Sequence, residues 1–268
     1  MAEHELYVQH GRATFEAEMA KRMATQEAAF LLPHLRAGMN VLDAGCGPGS
    51  ITLGLAAAVA PGKVVGIDIQ PSQVEQARAL AVQRGVTNVR FEAGNVYELP
   101  FPDGSFDAAF ANSVLEHLRE PVRALAELRR VLRPGGIAGI RDLDNGGFLI
   151  APDTPLLQQW FNLRDRFRQY NGANFYIGRH HRRLLLEAGF VRAEASASVD
   201  SVGSLEKTRQ FAVFLKAQFP ALARTALAEG WIDQATVDAI VAEIDAWAER
   251  PDAFQAATRC EAIGWVRD

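Results

Sequence analysis

The sequence predicts an α/β protein built around one mostly parallel β-sheet. In its first half, short apolar segments with the length of buried strands alternate with segments of helical character. A glycine-rich turn follows the first of these apolar segments. The 268 residues, of which 49% are hydrophobic and 22% charged, suit a soluble globular chain. Strands that alternate with helices form parallel β-α units, whose helices cover both faces of the sheet.

Seven strands are expected, and five of them lie before residue 144. Their predicted ranges are 40–45, 63–69, 88–94, 105–113 and 135–143. The helices between them are predicted over 50–60, 71–85 and 121–132. Pro71 can open its helix because the first turn does not use the N–H that proline lacks. A sixth strand over 190–199 and a last strand over 255–266 complete the sheet.

Helical segments outside these units predict a cap over the sheet. An amphipathic helix is expected over 15–32, and further helices over 153–170, 179–190 and 203–252, with Asp233 placed to cap a helix start. The predicted division is an N-terminal helical segment (1–37), a core (38–144), a first helical insertion (145–178), more core (179–202), a second insertion (203–253) and a final core strand (254–268). Ligands of open α/β sheets bind at the carboxyl ends of the strands, so the insertions are expected to form a lid there.

Charge and cysteine content limit the partners that this chain is expected to have. A net charge of −4 and the lack of a dense basic block speak against a nucleic-acid partner. Cys46 and Cys260 have no metal-ligand spacing, so we expect reduced thiols, no metal and a cytoplasmic location. The charged N-terminus does not resemble a signal peptide, and the longest apolar run, ten residues over 51–60, is too short to span a bilayer. The expected assembly is a monomer or a homodimer.

The stretch "VLDAGCGPGS" (41–50) carries the strongest functional signal. Its glycines are Gly45, Gly47 and Gly49, so the third glycine comes one residue earlier than in the dinucleotide-binding fingerprint G-x-G-x-x-G. Asp68 stands at the end of the second predicted strand, where a carboxylate can accept hydrogen bonds from both hydroxyls of a ribose. The sequence therefore predicts a ligand that contains adenosine, without deciding between NAD and other such cofactors.

Two other cofactor chemistries lack their signatures. The chain contains no G-x-x-x-x-G-K-[ST] phosphate loop. A Tyr-x-x-x-Lys pair for hydride chemistry is also absent, because none of the four lysines follows a tyrosine by four positions. A nicotinamide-dependent oxidoreductase is therefore a distant alternative.

Four motifs occur in order over about residues 38–143: "VLDAGCGPGS", "GIDI", "GNVYELPFPDGSFDAAFANSVLEHL" and "RVLRPGG". This set resembles class I S-adenosylmethionine (SAM)-dependent methyltransferases, in the branch that is similar to the ubiquinone/menaquinone-biosynthesis enzymes. The resemblance implies a Rossmann-like fold with a seven-stranded, mostly parallel sheet, SAM as cofactor and S-adenosylhomocysteine (SAH) as product. It also implies methyl transfer to a small molecule.

The resemblance further implies which residues contact the cofactor. The methionine part would lie against the glycine loop and the end of the fourth strand, with an acid near its ammonium group: Asp43, Gly45, Cys46, Gly47, Gly49, Asn112 and Ser113. The ribose would bind Asp68, and the adenine would lie against Ile69 and the "GNV" segment with Asn95 and Val96. Asn95 replaces the aspartate that is more common in the family, and its amide oxygen would meet the adenine amino group.

The N-terminal segment resembles one that folds over the cofactor in related small-molecule methyltransferases. Arg22 and Gln26 are four residues apart and are expected to share a helix face. Arg22 would pair with the methionine carboxylate through a charge-assisted bond, and Tyr7 is a further candidate for this closure. The alternative is that Arg22 is a solvated arginine on an amphipathic helix.

Methyl transfer to a hydroxyl, an acidic carbon or a protonated amine would benefit from a general base. Four side chains near the expected carboxyl edge are candidates: His117, Asp144, Tyr176 and His180. A packing role is the alternative for His117. His181, next to two arginines, is expected on a solvated surface.

The insertions are rich in aromatic side chains, namely Trp160, Phe161, Phe167, Tyr170, Phe175, Tyr176, Phe211 and Phe214. Most are expected in the core, but some would wall an apolar pocket. We therefore expect the acceptor to be an uncharged or weakly charged, partly apolar small metabolite, methylated on O, N or C. Two alternatives stay open: a methyltransferase of RNA or protein, and a SAM-binding protein without catalysis. The first would be favoured by a basic groove and an Asn/Asp-Pro-Pro-Tyr-type motif after the fourth strand, and "ANSVLEHL" lacks that proline and tyrosine.

Overall fold

The computed structural model describes residues 19–268, and its centre is a seven-stranded sheet. The strands are β1 (Val41–Ala44), β2 (Val64–Asp68), β3 (Val89–Ala93), β4 (Phe106–Asn112), β5 (Leu132–Ala151), β6 (Arg192–Val202) and β7 (Phe254–Trp265). Their order across the sheet is β3-β2-β1-β4-β5-β7-β6. The first five strands are parallel, and β7 runs antiparallel between β5 and β6. The predicted α/β class and the mostly parallel seven-stranded sheet are confirmed.

Helices cover both faces of this sheet. They are α1 (Ala24–Glu27), α2 (Ser50–Val59), α3 (Pro71–Arg84), α4 (Pro121–Val131), α5 (Pro155–Tyr170), α6 (His181–Glu187), α7 (Leu205–Ala228) and α8 (Gln234–Ala248). Side chains alternate between the faces of a strand. Val41 accordingly packs in the cluster that contains Leu55 of α2, whereas its neighbour Leu42 packs with Leu125 of α4.

The N-terminal segment differs from its prediction. In place of one helix over 15–32, the described part has the single turn α1, a bend and a short 3-10 turn over Leu32–His34. Met23 is extended (φ −124°, ψ 142°) and separates Arg22 from α1. Isolated turns of helix are marginal, so tertiary packing decides this conformation. Ala24 lies against Gly54 of α2, where an added Cβ on the glycine would be 2.6 Å from the Cβ of Ala24.

Strand β5 is longer than the predicted range 135–143. Its pairing with β7 continues beyond the carboxyl ends of the parallel strands, with Leu149 opposite Ala256 and Ala151 opposite Phe254. The register shifts between Asp144 and Leu149. Residues that were predicted to begin a helical insertion therefore extend the sheet, because β7 offers them backbone hydrogen-bond partners. The predicted helix over 179–190 is also shorter, with a 3-10 turn over Gly178–His180 before α6.

Helices α5, α7 and α8 form a helical cap with a core of its own. Trp160, Leu215 and Ile240 belong to this core and are fully buried. Asp233 accepts a hydrogen bond from the Thr236 backbone N–H at 2.8 Å and caps α8 as predicted. Trp247 Nε1 donates to the Ala151 carbonyl at 3.0 Å, which ties the cap to the end of β5. No helix within residues 19–268 is both long enough and apolar enough to cross a bilayer.

Candidate active site

The glycine loop lies at the carboxyl end of β1 and packs tightly on its neighbours. Gly45 and Gly49 have φ angles of +81° and +83°, in the left-handed region that favours glycine. A Cβ on Gly45 would approach the Val114 side chain to 2.4 Å, and one on Gly49 would approach Ala77 to 2.8 Å. The loop therefore needs glycine both for its backbone angles and for its contacts.

Asp68 joins the end of β2 to this loop. Its Oδ2 accepts a hydrogen bond from the Gly47 backbone N–H at 2.9 Å, and its Oδ1 accepts one from the Gln70 N–H at 2.9 Å. The side chain of Ile69, the next residue, is 53% exposed although it is large and apolar. A fixed carboxylate beside an exposed apolar surface suits a sugar joined to a flat ring.

Asp43 lies below the loop and is buried. Its Oδ2 accepts a hydrogen bond from the Thr52 hydroxyl at 2.6 Å. Burial raises the pKa of Asp43 to about 7, against the lowering effect of the Thr52 bond, and the nearby charge of Asp68 raises it further. Burial also raises the pKa of the Cys46 thiol, so this cysteine is a packed, neutral side chain.

The carboxyl end of β4 carries the next predicted residues. Ser113 has a φ of +56° and is the single non-glycine residue with a positive φ among residues 19–268. Such strain is characteristic of functional sites. Asn112 is buried, and its Nδ2 has no hydrogen-bond acceptor within the described chain, while its Oδ1 lies 3.5 Å from Arg141 Nη1. A buried donor without an acceptor therefore lies at the end of β4.

The "GNV" segment follows β3 and is half-buried. Asn95 Oδ1 accepts a hydrogen bond from the Tyr97 backbone N–H at 2.9 Å. The oxygen that was expected to meet adenine thus already has one donor, although an amide oxygen has a second lone pair. Val96 packs partly against the main core cluster.

The four candidate bases have different surroundings. Arg179 binds both oxygens of Asp144, with Nε–Oδ2 at 2.8 Å and Nη2–Oδ1 at 2.5 Å. Burial raises the pKa of Asp144, but the bonds from Arg179 and from the Gly146 N–H outweigh it and hold this pKa below its ordinary value. The hydroxyl of Tyr176 donates to Asp165 Oδ2 at 2.7 Å, which raises the pKa of Tyr176. Asp144 therefore takes up a proton less readily than an ordinary carboxylate, and Tyr176 keeps its own proton, so neither group is favoured as a base near neutral pH.

The two histidines also differ. His180 lies exposed in the 3-10 turn before α6. The side chain of His117 is 16% exposed, and its Nε2 lies 3.5 Å from Glu116 Oε1. Its ring meets the edge of Phe175 at a centroid distance of 5.3 Å. His117 therefore combines partial burial, an adjacent carboxylate and a position just after β4.

The glycine loop, Asp68, Asn112 and Ser113 lie at the ends of β1, β2 and β4, which are neighbours in the sheet. The strand order reverses between β1 and β4, and open α/β sheets bind ligands at such a point. A family model described as a methyltransferase domain matches residues 35–183, more than half of the chain. The chain belongs to this methyltransferase family.

Known proteins show how far this similarity extends. The methyltransferase is 30% identical over 269 residues to a probable methyltransferase, ltbC, of Aspergillus luteorubrus, which covers 94% of each chain. It is 39% identical over 142 residues to the 27-O-demethylrifamycin SV methyltransferase of Amycolatopsis mediterranei, covering 53% of this chain and 50% of that protein. Its fold is similar to the crystal structure of the YcgJ protein of Bacillus subtilis, with a TM-score of 0.62, 21% identity and coverage of 90% and 98%. The predicted membership of the class I methyltransferases is confirmed.

The N-terminal segment of the methyltransferase reaches the glycine loop. The Met19 carbonyl accepts a hydrogen bond from Ser50 Oγ at 3.1 Å, and the Met19 side chain lies over Gly47. The prediction that Arg22 and Gln26 share a helix face is wrong, because Arg22 precedes α1 and Gln26 is exposed within it. Tyr7 lies outside the described residues.

Glu27 holds this segment against the sheet. Its carboxylate forms an ion pair with Arg141 Nη1, and Arg141 Nε lies 3.3 Å from Glu261 Oε1 on β7. Arg141 is buried opposite Asn112 in the β4–β5 register. The ion pair therefore places α1 beside the end of β4.

The prediction of a solvated surface for His181 is wrong. His181 is 0% exposed, and its Nε2 lies 2.9 Å from Asp142 Oδ2 on β5. Asp142 Oδ1 in turn accepts a hydrogen bond from the Glu116 N–H at 3.2 Å, and Glu116 Oε2 accepts one from the Leu143 N–H at 3.0 Å. The 3-10 turn before α6 brings His181 onto β5. Burial raises the pKa of Asp142, against the lowering effect of His181.

This buried network was missed, although the sequence held a signal for it. The segment "RDLD" (141–144) puts three charged side chains at the carboxyl end of an otherwise apolar strand. Charged residues are rarely buried unless they are paired. That segment predicts buried partners, but it does not identify them.

Proposed function

We propose that the methyltransferase binds SAM at the carboxyl ends of β1, β2 and β4 and methylates an oxygen of a small, partly apolar acceptor. One observation carries the cofactor site. The carboxylate of Asp68 is fixed at the carboxyl edge by the N–H of Gly47, so a carboxylate suited to a ribose and the glycine loop form one unit. The proposal for the acceptor rests on the helical cap and on the surroundings of His117.

The residues at this edge fit the cofactor in shape and polarity. Gly45 and Gly49 have no room for a Cβ against Val114 and Ala77, so glycine alone allows the tight turn that presents the loop backbone at this edge. The ribose hydroxyls would donate to Asp68, and the adenine would cover the exposed side chain of Ile69, with Asn95 and Val96 at its edge. The unpaired Nδ2 of Asn112 offers a donor near the methionine end.

The loop and Asp43 would hold the amino-acid part of the cofactor. Asp43 carries a buried carboxyl that an ammonium group would stabilise in its charged form. The segment around Met19, which contacts Gly47, would cover this part and exclude water. The backbone of Arg22 lies next to the contact between Met19 and Gly47, since the Arg22 N–H donates to the Met19 carbonyl at 3.1 Å. We propose that Arg22 pairs with the methionine carboxylate.

The bound cofactor supplies an electrophilic methyl group on a sulfonium that leaves as a neutral thioether. The task of the protein is then to align the acceptor atom and to remove its proton. His117 is the best placed of the four candidates, because Glu116, 3.5 Å from its Nε2, would stabilise the imidazolium that forms. Asp144 is held by Arg179, and Tyr176 donates to Asp165.

An oxygen acceptor agrees with the need for such a base. The relative from Amycolatopsis mediterranei is named for methylation of an oxygen, and this chain spans half of its length. Phe148 of β5 packs on the cluster that contains Phe175, whose ring meets His117, and the ring centroids of Phe148 and Phe161 of the cap are 4.4 Å apart. These rings favour an acceptor with an apolar body.

Calorimetric titration of the full chain with SAH, and separately with NAD for comparison, tests the cofactor site. We expect SAH to bind and NAD not to bind, and we expect Asp68→Ala to weaken SAH binding by at least about tenfold. Asp103→Ala is the matched control, because Asp103 lies exposed before β4 at the opposite edge of the sheet. Binding of NAD in place of SAH, or SAH binding that Asp68→Ala leaves unchanged, would refute the proposal.

A further inference from the structure

Two buried arginines lie on one face of the cap helix α5. Arg164 and Arg168 are one helical turn apart, so their side chains are neighbours. Arg164 is 6% exposed, and the side chain of Arg168 is 11% exposed. Full burial of an arginine is uncommon and normally requires an anionic partner.

Both guanidinium groups lie over aromatic rings. The Cζ of Arg164 lies 4.8 Å from the ring centre of Phe161 and 5.4 Å from that of Phe148. The Cζ of Arg168 lies 3.4 Å from the ring centre of Phe175. A cation over a ring face is attracted by the ring, but the ring does not accept the directed hydrogen bonds that the guanidinium N–H groups can donate.

One buried nitrogen of each guanidinium lacks an acceptor. Within residues 19–268, Arg164 Nε and Arg168 Nη1 are buried and have no hydrogen-bond partner. The nearest carboxylate contact of Arg168 is with Asp165, at 3.8 Å between Nη1 and Oδ1, which is too long for a hydrogen bond. Burial lowers the pKa of Arg164 to about 10 and that of Arg168 well below its ordinary value.

The carboxylates around the pair are engaged elsewhere. Asp165 accepts hydrogen bonds from Asn145 Nδ2 at 2.6 Å and from the Tyr176 hydroxyl at 2.7 Å. Glu116 accepts one from the Leu143 N–H. These acids offset the two positive charges at longer range but do not hydrogen-bond to them.

Two other largely buried arginines within residues 19–268 are paired. Arg141 contacts Glu27 and Glu261, and Arg259 donates to Asp200 at 2.8 Å. Arg164 and Arg168 differ from these two, because no hydrogen bond from either guanidinium to a carboxylate is found in the described part of the chain.

The pair lies on the acceptor side of the proposed active site. Phe175, which stacks on Arg168, meets the ring of His117 at 5.3 Å. The Asn174 N–H donates to the Glu116 carbonyl at 2.7 Å and fixes this loop beside the end of β4. Solvent reaches the region, since the side chains of Asp165 and His117 are 22% and 16% exposed.

We infer that Arg164 and Arg168 bind an anionic group, a carboxylate or a phosphate, on the apolar body of the methyl acceptor. Guanidinium groups bind such anions through two parallel N–H···O bonds, and the stacked rings of Phe148, Phe161 and Phe175 receive the apolar body. This replaces the sequence-based expectation of an uncharged or weakly charged acceptor. The inference rests on the proposed function, because it assigns the acceptor of that same site.

Three small probes separate the possible ligand chemistries. Benzoate and phenyl phosphate carry the two anionic groups on one apolar ring, and benzamide is the neutral counterpart of benzoate. Each is titrated calorimetrically into the full chain, with and without saturating SAH. We expect benzoate or phenyl phosphate to bind at least about tenfold more tightly than benzamide, because the guanidinium bonds are charge-assisted. The tighter of the two identifies the anionic group.

Variants of α5 test which residues are responsible. Arg164→Met and Arg168→Met should each reduce anion affinity by at least about tenfold and leave benzamide binding unchanged. Arg166→Met is the matched control, because Arg166 is exposed on the same helix and lies over Trp231. Arg168→Gln, which keeps polarity and removes charge, is the second variant in case a methionine disrupts the cap.

Thermal unfolding without ligand separates ligand binding from a structural role. If the pair serves a ligand, Arg168→Met should unfold at the same or a higher temperature than the unchanged protein, because it removes a buried charge that no hydrogen bond to a carboxylate compensates. A lower unfolding temperature together with unchanged anion binding would show that stacking on Phe175 is the role of Arg168, and would overturn the inference. Equal affinities for benzoate, phenyl phosphate and benzamide would also overturn it. Failure of SAH to bind would refute the cofactor proposal alone, since the anion titrations without SAH are read independently.

Discussion

The carboxylate of Asp68 accepts a hydrogen bond from the backbone N–H of Gly47, across the gap between β2 and the loop after β1. This bond, 2.9 Å long, brings together two residues that are 21 positions apart in the sequence. Asp68→Asn keeps the size of the side chain and an oxygen for Gly47, but it loses the charge. We expect SAH affinity to fall by at least about tenfold with an unchanged fold, because neutral acceptors bind hydroxyl donors less strongly than carboxylates do. Calorimetry together with circular dichroism measures both, and full affinity in the variant would contradict a role for this charge in ribose binding.

Gly49→Ala should destabilise the protein and weaken SAH binding. The new Cβ would meet Ala77 at 2.8 Å and Phe91 at 2.9 Å, and the φ of +83° is strained for alanine. Strain and overpacking together predict a loss of about 2–4 kcal/mol in the free energy of unfolding. Gly85→Ala is the control: its φ is +64°, but nothing lies within 4 Å of its added Cβ, so it has the backbone strain without the clash. Urea denaturation of both variants gives the difference, and equal losses would show that packing at Gly49 is unimportant.

Asp43 predicts a pH dependence of stability. The folded protein binds the proton of Asp43 more tightly than the unfolded chain, since burial raises the pKa from 3.8 to about 7. The carboxyl therefore favours the folded state below about pH 4, and this contribution is lost as the pH rises through about 7. Asp43→Asn, which does not ionise, should gain stability relative to the unchanged protein over this range, by roughly 4 kcal/mol at most. Urea denaturation between pH 4 and pH 8 measures the gap between the two proteins, and a gap that stays constant with pH would contradict the raised pKa.

His181→Leu should strongly destabilise the protein, because it leaves Asp142 buried without its partner at 2.9 Å. A buried polar group that is left without its partner costs about 1–3 kcal/mol, and more if it is charged. His180→Leu is the matched control, since His180 is the neighbouring residue and is exposed. The double variant Asp142→Asn/His181→Leu should recover part of the loss, and chemical denaturation of the three variants measures the coupling. A loss in His181→Leu no greater than that in the control would show that the pair does not stabilise the fold.

The strands and the cofactor edge could be predicted because their signals are local. The ranges of β1 to β4 agree with short apolar runs in the sequence within two residues at each end. The spacing of Gly45, Gly47 and Gly49 directly after a strand predicted a tight turn, and three positive φ angles confirm it. The assigned contacts between these residues and SAM stay predictions.

The errors occur where packing overrides local preference. The segment around Met23 has helical periodicity, but the backbone of Met23 is extended and interrupts the helix. Contacts of Ala24 with Gly54 and of Glu27 with Arg141 hold the segment in this conformation. Residues 145–151 look like the start of a helical insertion, yet pairing with β7 makes them a strand. In both cases the partners lie far away in the sequence, so a local pattern does not reveal them.

The sequence by itself determined the α/β class, the position of the glycine loop and the family, because these depend on residues that act within one strand or one turn. Only the tertiary structure decided which charged side chains are buried and with whom. In the sequence, Arg164 and Arg168 look like solvent-exposed residues of an amphipathic helix, and His181 is followed by two arginines. Their burial results from the cap folding onto β5 and from α6 packing on the sheet, which brings together groups far apart in the chain. The energy of a buried charge depends on all the atoms around it, and those atoms come together only in the folded molecule.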